Sequence, residues 1–116
     1  MRAVLSVLDR DYSGVPDYAG IASQLGVCLT RLEHLFKRDT GKSMRDHLRD
    51  RRLEAAAAML VETNQRVSEI AWAVGYKDVA NFNHAFRHMF GVSPSEYRID
   101  RRIEQLLPSA PRSDQA

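Results

Sequence analysis

A single cysteine, Cys28, leaves the chain unable to form an internal disulfide, and four histidines with one cysteine at irregular spacings do not make a zinc signature. A reducing cytoplasm is the expected setting. Long apolar runs are missing too, since none approaches the ~18 residues of a membrane span. The opening MRAVLSVLDRDY interrupts its apolar residues with charges every few positions, unlike the core of a secretory signal, and reads as a helix. There is no nucleophile with its base, no carboxylate pair, no glycine-rich phosphate loop and no metal cluster, so neither an enzyme nor a cofactor is expected. Excess charge of one sign is also scarce: a net +2 permits nucleic-acid binding without demanding it.

What the chain does have is an internal repeat. IASQLG from Ile21 to Gly26 returns as IAWAVG from Ile70 to Gly75, with Ile, Ala and Gly identical at an offset of 49. Phe36, Gly41 and Ser43 return as Phe86, Gly91 and Ser93 at an offset of 50, so the second copy holds one extra residue in its turn or helix start. Each copy has the parts of a helix-turn-helix. Ala22 and Ala71 are small enough for two helices to cross closely, and Gly26 and Gly75 suit the sharp turn between them. Apolar residues Ile21, Leu25, Val27, Leu32 and Leu35, then Ile70, Val74, Tyr76, Phe82 and Ala85, are expected to face inward. The outward faces are left to contact something else.

Helical spacing and caps predict an all-α chain of seven helices, near 2–12, 18–25, 29–39, 44–62, 67–74, 79–89 and 94–106. Val15-Pro16-Asp17 stops the first, and Asp17 caps the second. Ser43 caps the spacer helix, whose Leu48, Ala56, Met59 and Leu60 form an apolar stripe, with Arg49 to Arg52 mostly solvated. Ser93-Pro94-Ser95-Glu96 carries a capping box and a first-position proline for the last helix. The domain is expected to cover 1–98, with helix-turn-helix units at about 18–39 and 67–89, a helical extension at 99–107 and a disordered tail at 108–116.

With both units in view, the sequence resembles the DNA-binding domain of the AraC (AraC/XylS) family over roughly residues 3 to 98. Val67 to Arg98 carries the more specific match: an EIA helix, a glycine-aromatic turn, F-x-x-x-F in the recognition helix, then F-G-x-S-P-x-x-Y-R. IASQLGV, RLEHLFKRDTGKS and RLEAAAAML supply the rest. The resemblance implies a homeodomain-like pair of helix-turn-helix subdomains joined by the spacer helix. It also implies a monomer that sets two recognition helices into successive major grooves and acts as an activator in contact with RNA polymerase. Two departures stand out: Cys28 replaces a capping Ser, and His47 replaces an aromatic residue. Many family members carry a further effector-binding or dimerisation domain, so the chain reads either as a small regulator or as an excised domain.

Helical phase then assigns contacts to double-stranded DNA. In the first recognition helix Thr30, Glu33, His34 and Lys37 share the face opposite Leu32, Leu35 and Phe36. Glu33 can accept from cytosine N4, Thr30 can touch a thymine methyl, and His34 can donate to guanine or phosphate. Lys37, Arg38 and Lys42 would grip the backbone. In the second, Phe82, Phe86 and Met89 are expected inward, leaving Val79, Ala80, Asn83, His84 and Arg87 outward and Asn81 at the edge. Val79 and Ala80 suit thymine methyls, Asn81 and Asn83 can read adenine, and Lys77 and Arg87 suit phosphates. The alternatives are a second unit that grips only phosphates, or a helical protein-interaction module. The His84/His88 pair lacks a third metal ligand, and Cys28 is not favoured as a redox sensor. Ile99, Ile103, Leu106 and Leu107 extend an apolar face that either packs on its own domain or forms a dimer contact.

Overall fold

The computed structural model describes residues 2–10, 12–14 and 16–106, and in these it is all helical. The helices are α1 (Arg2–Arg10), α2 (Tyr18–Gln24), α3 (Leu29–Thr40), α4 (Met44–Glu62), α5 (Val67–Ala73), α6 (Val79–Phe90) and α7 (Pro94–Leu106). The expected caps are in place. The Asp17 carboxylate accepts from the Gly20 amide at 3.0 Å, and the Ser43 hydroxyl accepts from the Asp46 amide at 3.1 Å. Ser93 and Glu96 form the reciprocal box, at 3.2 and 3.4 Å. α1 is shorter than expected: Tyr12 lies in a turn, its ring packed against the second unit. Leu107 and 108–116 lie outside the described residues.

Two separate cores form, one per unit. The first gathers Val4 and Leu8 of α1, Ala22 of α2, Leu32 and Phe36 of α3, and Met44 at the start of α4. The second gathers Leu53, Ala56, Ala57 and Leu60 of α4 with Ile70, Ala71, Val74, Phe82 and Phe86. Spaced three or four apart, the four α4 residues make one stripe on the face turned to α5 and α6. Burial of a phenylalanine side chain stabilises by about 1.5–3 kcal/mol, so Phe36 alone and Phe82 with Phe86 are the largest single contributors. α4 therefore serves both cores, and α7 folds back along it.

Three positions depart from expectation. Leu25 is 49% exposed although its counterpart Val74 is fully buried. The C-terminal half of α4 roofs the second core, whereas the first core takes only Met44 from that helix. Met89 is 39% exposed because Phe90 turns inward instead, 4.4 Å from the Phe86 ring centroid and 5.2 Å from that of Tyr97. Arg52, expected in solvent, is half-buried and donates to the carbonyls of Tyr12 and Gly14. α7 clamps the far end of α4: Arg98 donates from Nε to the Leu60 carbonyl at 2.9 Å, and Arg102 donates to Thr63 at 2.8 Å. These bonds occupy carbonyls that a helix end leaves without partners.

Candidate nucleic-acid interface

The repeat is structural as well as sequential. From residues 30–44 to 80–94 the two units share the same succession of exposed, half-buried and buried positions, residue for residue. In the turns, the Val27 amide donates to Ala22 at 3.0 Å and the Tyr76 amide donates to Ala71 at 2.9 Å. α3 starts after Cys28 and α6 after Asp78, so the additional residue of the second copy lies in its turn, between Tyr76 and Asp78. That residue is Lys77, which is thereby displayed beside the start of α6.

Each recognition helix borders a shallow groove closed at one end by the start of the next helix. Thr30, Glu33, His34, Lys37, Arg38 and Ser43 line the first. The second is lined by Val79, Asn83, His84, Arg87 and Ser93, together with Val67 and residues 94–95. Glu33 and Asn83, His34 and His84, Lys37 and Arg87, and Ser43 and Ser93 are equivalent pairs. The grooves thus bring together nine of the residues expected at DNA, Thr30, Glu33, His34, Lys37 and Arg38 in one and Val79, Asn83, His84 and Arg87 in the other, whereas Lys42, Lys77, Ala80 and Asn81 do not line them. Ser43 and Ser93 were missed because they read only as caps. Their signal was the shared G-x-S after each recognition helix, which sets a helix N-terminus, with its positive dipole end, beside each groove.

The helix starts differ. Asp78 caps α6 by accepting from the amides of Ala80, at 2.8 Å, and Asn81, at 3.4 Å. Cys28 makes no side-chain cap bond at the start of α3, as expected of a thiol. Ala80 and Asn81 are exposed as expected, whereas Val79 lines the groove but is only partly outward. Three before Phe82 and seven before Phe86, it shares their face and packs half-buried against the second core. His84 sits on a ridge, lining both its own groove and a cleft to Arg49 and Asp50 of α4.

The cations divide into engaged and free. Lys42 is held by Asp50 at 2.6 Å, and Arg38 by its neighbour Asp39 at 3.1 Å. Lys37, Lys77 and Arg87 are exposed and make no ion pair among the described residues. Burial would raise the Asp50 carboxyl, but hydrogen bonds and charge from Lys42 and Arg49 outweigh it and hold it below its ordinary range. The His47 ring meets Phe36 edge-on at 5.8 Å, and its Nε2 lies 2.9 Å from Asp9. No described helix is long and apolar enough to cross a membrane.

Two stacked units of this geometry define a double helix-turn-helix domain. Residues 21–99 match the helix-turn-helix domain family. The chain is 30% identical over 99 residues to the HTH-type transcriptional regulator GlxA of Rhizobium meliloti, covering 83% of this chain and 31% of that protein. It is 32% identical over 82 residues to the arabinose operon regulatory protein of Escherichia coli, covering 71% and 28%. The C-terminal domain of AraT, a response regulator from Geobacillus stearothermophilus, superposes with a TM-score of 0.78 at 31% identity, covering 85% of this chain and 83% of that one. The DNA-binding domain of AdpA, solved in complex with a target DNA, has the same fold, with a TM-score of 0.80 at 21% identity over 89% and 93% of the two chains.

The chain belongs to the AraC-type helix-turn-helix family. It spans less than a third of the length of these two curated relatives.

Proposed function

We propose that this chain is the DNA-binding part of a bacterial transcription activator that places α3 and α6 in successive major grooves of one duplex as a monomer. The observation that carries the reading is the pair of equivalent grooves, each with a polar pair (Glu33 and His34, or Asn83 and His84), a cation one turn on and a helix start at its end. Major grooves on one face of DNA repeat about every 34 Å, and the chain's long dimension of 53 Å accommodates both units along that face. Thr30, Glu33 and His34 read bases from α3, and Ala80, Asn81, Asn83 and His84 read them from α6. Lys37, Lys77 and Arg87 hold phosphates, and Arg38 and Lys42 join them only by leaving Asp39 and Asp50. Contact with RNA polymerase and a cytoplasmic location follow from this reading and from the regulatory names of the relatives.

A salt titration of binding to labelled duplex tests it. Log affinity should fall linearly with log salt at about 0.9 per phosphate neutralised. Binding to DNA that is absent, or indifferent to salt, would instead favour a helical protein-interaction module.

A further inference from the structure

Gly26 and Gly75 stand at the same place in the two turns, both in the left-handed region at φ 73° and 107°, yet their surroundings differ. A Cβ on Gly26 would meet nothing within 4 Å. One on Gly75 would stand 2.7 Å from the Ser13 carbonyl oxygen and 3.0 Å from Arg52 Nε. The loop that follows α1, part of the first unit, is thus pressed against the turn of the second. Arg52 holds it there, donating from Nε to the Tyr12 carbonyl at 2.5 Å and from Nη2 to the Gly14 carbonyl at 2.7 Å. Its guanidinium lies 6.0 Å from the Tyr76 ring centroid. Tyr12 packs on the second core while the Arg51 guanidinium covers its ring at 5.0 Å.

We infer that Arg52 is a positioning residue that fixes the register of one recognition helix against the other, and so sets the half-site spacing the domain accepts. This rests on the reading that both units hold one duplex. Without the latch the cores are joined mainly through α4, where Leu48 is the only buried residue between Met44 and Leu53. A single helix bends and twists, so each unit would bind its half-site unchanged while the advantage of holding two at once declines. That advantage is an effective concentration, and it is largest when the link matches the span. Arg52 suits the role because its planar fork donates to two carbonyls at once, which a lysine ammonium does with less directional control.

The test measures affinity for three duplexes: the selected two-half-site sequence, either half-site alone, and the full site with one base pair inserted between halves. The wild type should bind the full site far more tightly than a half-site and lose affinity on insertion. Arg52→Ala should lose about tenfold on the full site, keep half-site affinity within about twofold, and be penalised less by the insertion. Arg52→Lys should fall between, and it carries the test if Arg52→Ala does not fold. Gly75→Ala should follow Arg52→Ala, whereas Gly26→Ala, with the same kind of backbone strain and no clash, should keep the wild-type spacing preference. Equal losses on full and half sites, or an unchanged spacing preference in Arg52→Ala and Gly75→Ala, would overturn the inference alone. A wild type with no full-site advantage would overturn the two-groove reading, and the inference with it.

Discussion

Glu33 and Asn83 occupy the same position of the two recognition helices, each lining its groove one turn before a free cation. One is a carboxylate that only accepts hydrogen bonds; the other is a carboxamide that donates and accepts. The two units are geometrically alike and chemically unlike. Glu33→Ala should relax preference at a cytosine in one half-site, and Asn83→Ala at an adenine in the other, each costing about 1–3 kcal/mol on the best site. Site selection with each variant checks this. Loss of preference in both halves from either substitution would show that the helices do not read separate half-sites.

The cations should behave differently. Lys37→Ala or Arg87→Ala should weaken all sequences about equally and lower the salt slope by about one, because a phosphate contact carries little base information. Lys42→Ala should lower it less, since that ammonium already has Asp50 at 2.6 Å. Salt titrations on a specific and a scrambled duplex measure both effects. A changed base preference in Lys37→Ala would overturn the phase assigned to α3.

The helix crossings give a stability test. Ala22 and Ala71 are 2% and 0% exposed, so a branched residue there overpacks the contact. Ala22→Val or Ala71→Val should destabilise by about 1–3 kcal/mol in chemical denaturation, with lost DNA binding as a consequence. Wild-type midpoints would mean that neither alanine sits at a tight crossing.

Asp50 makes stability depend on acid. Its folded-state carboxyl lies below the ordinary value of 3.8, so the stability it contributes is complete above that value and is lost as pH falls through the folded one. Asp50→Asn should therefore be less stable than the wild type near neutral pH, and the gap should close only as the solution becomes more acid than 3.8. Thermal melts across this range give the result. A gap that is constant with pH would remove the Lys42–Asp50–Arg49 cluster as its source.

Much of this was legible from the repeat. Caps at Asp17, Ser43 and Ser93 and small residues at the crossings follow local rules, and Glu33, His34, Asn83 and His84 follow from helical phase once Phe36 and Phe86 are placed inside. The alanine-rich run of α4 was harder. With four alanines in succession, only packing against α5 and α6 distinguishes buried Ala56 and Ala57 from exposed Ala58, and the stripe through Leu53 was overlooked for that reason. The partial burial of Val79 lay in its three-residue spacing from Phe82, which its small size obscured. Arg52 gave no local signal at all. Its partners are carbonyls about 40 residues away, and a run of four charged residues looks solvated until the chain is folded.

Three apolar residues of α7 remain exposed in the single chain, Ile99 at 57%, Ile103 at 48% and Leu106 at 79%. They frame the most direct test of a monomer on two grooves, which is the stoichiometry and symmetry of the bound site. Selection from random duplex, followed by titration of the chain against the selected sequence in analytical ultracentrifugation, measures both. The account predicts an asymmetric site of about two helical turns, saturated by one chain. A palindromic site occupied by two chains at the lowest saturating concentration would contradict it and assign the α7 ridge to a dimer interface.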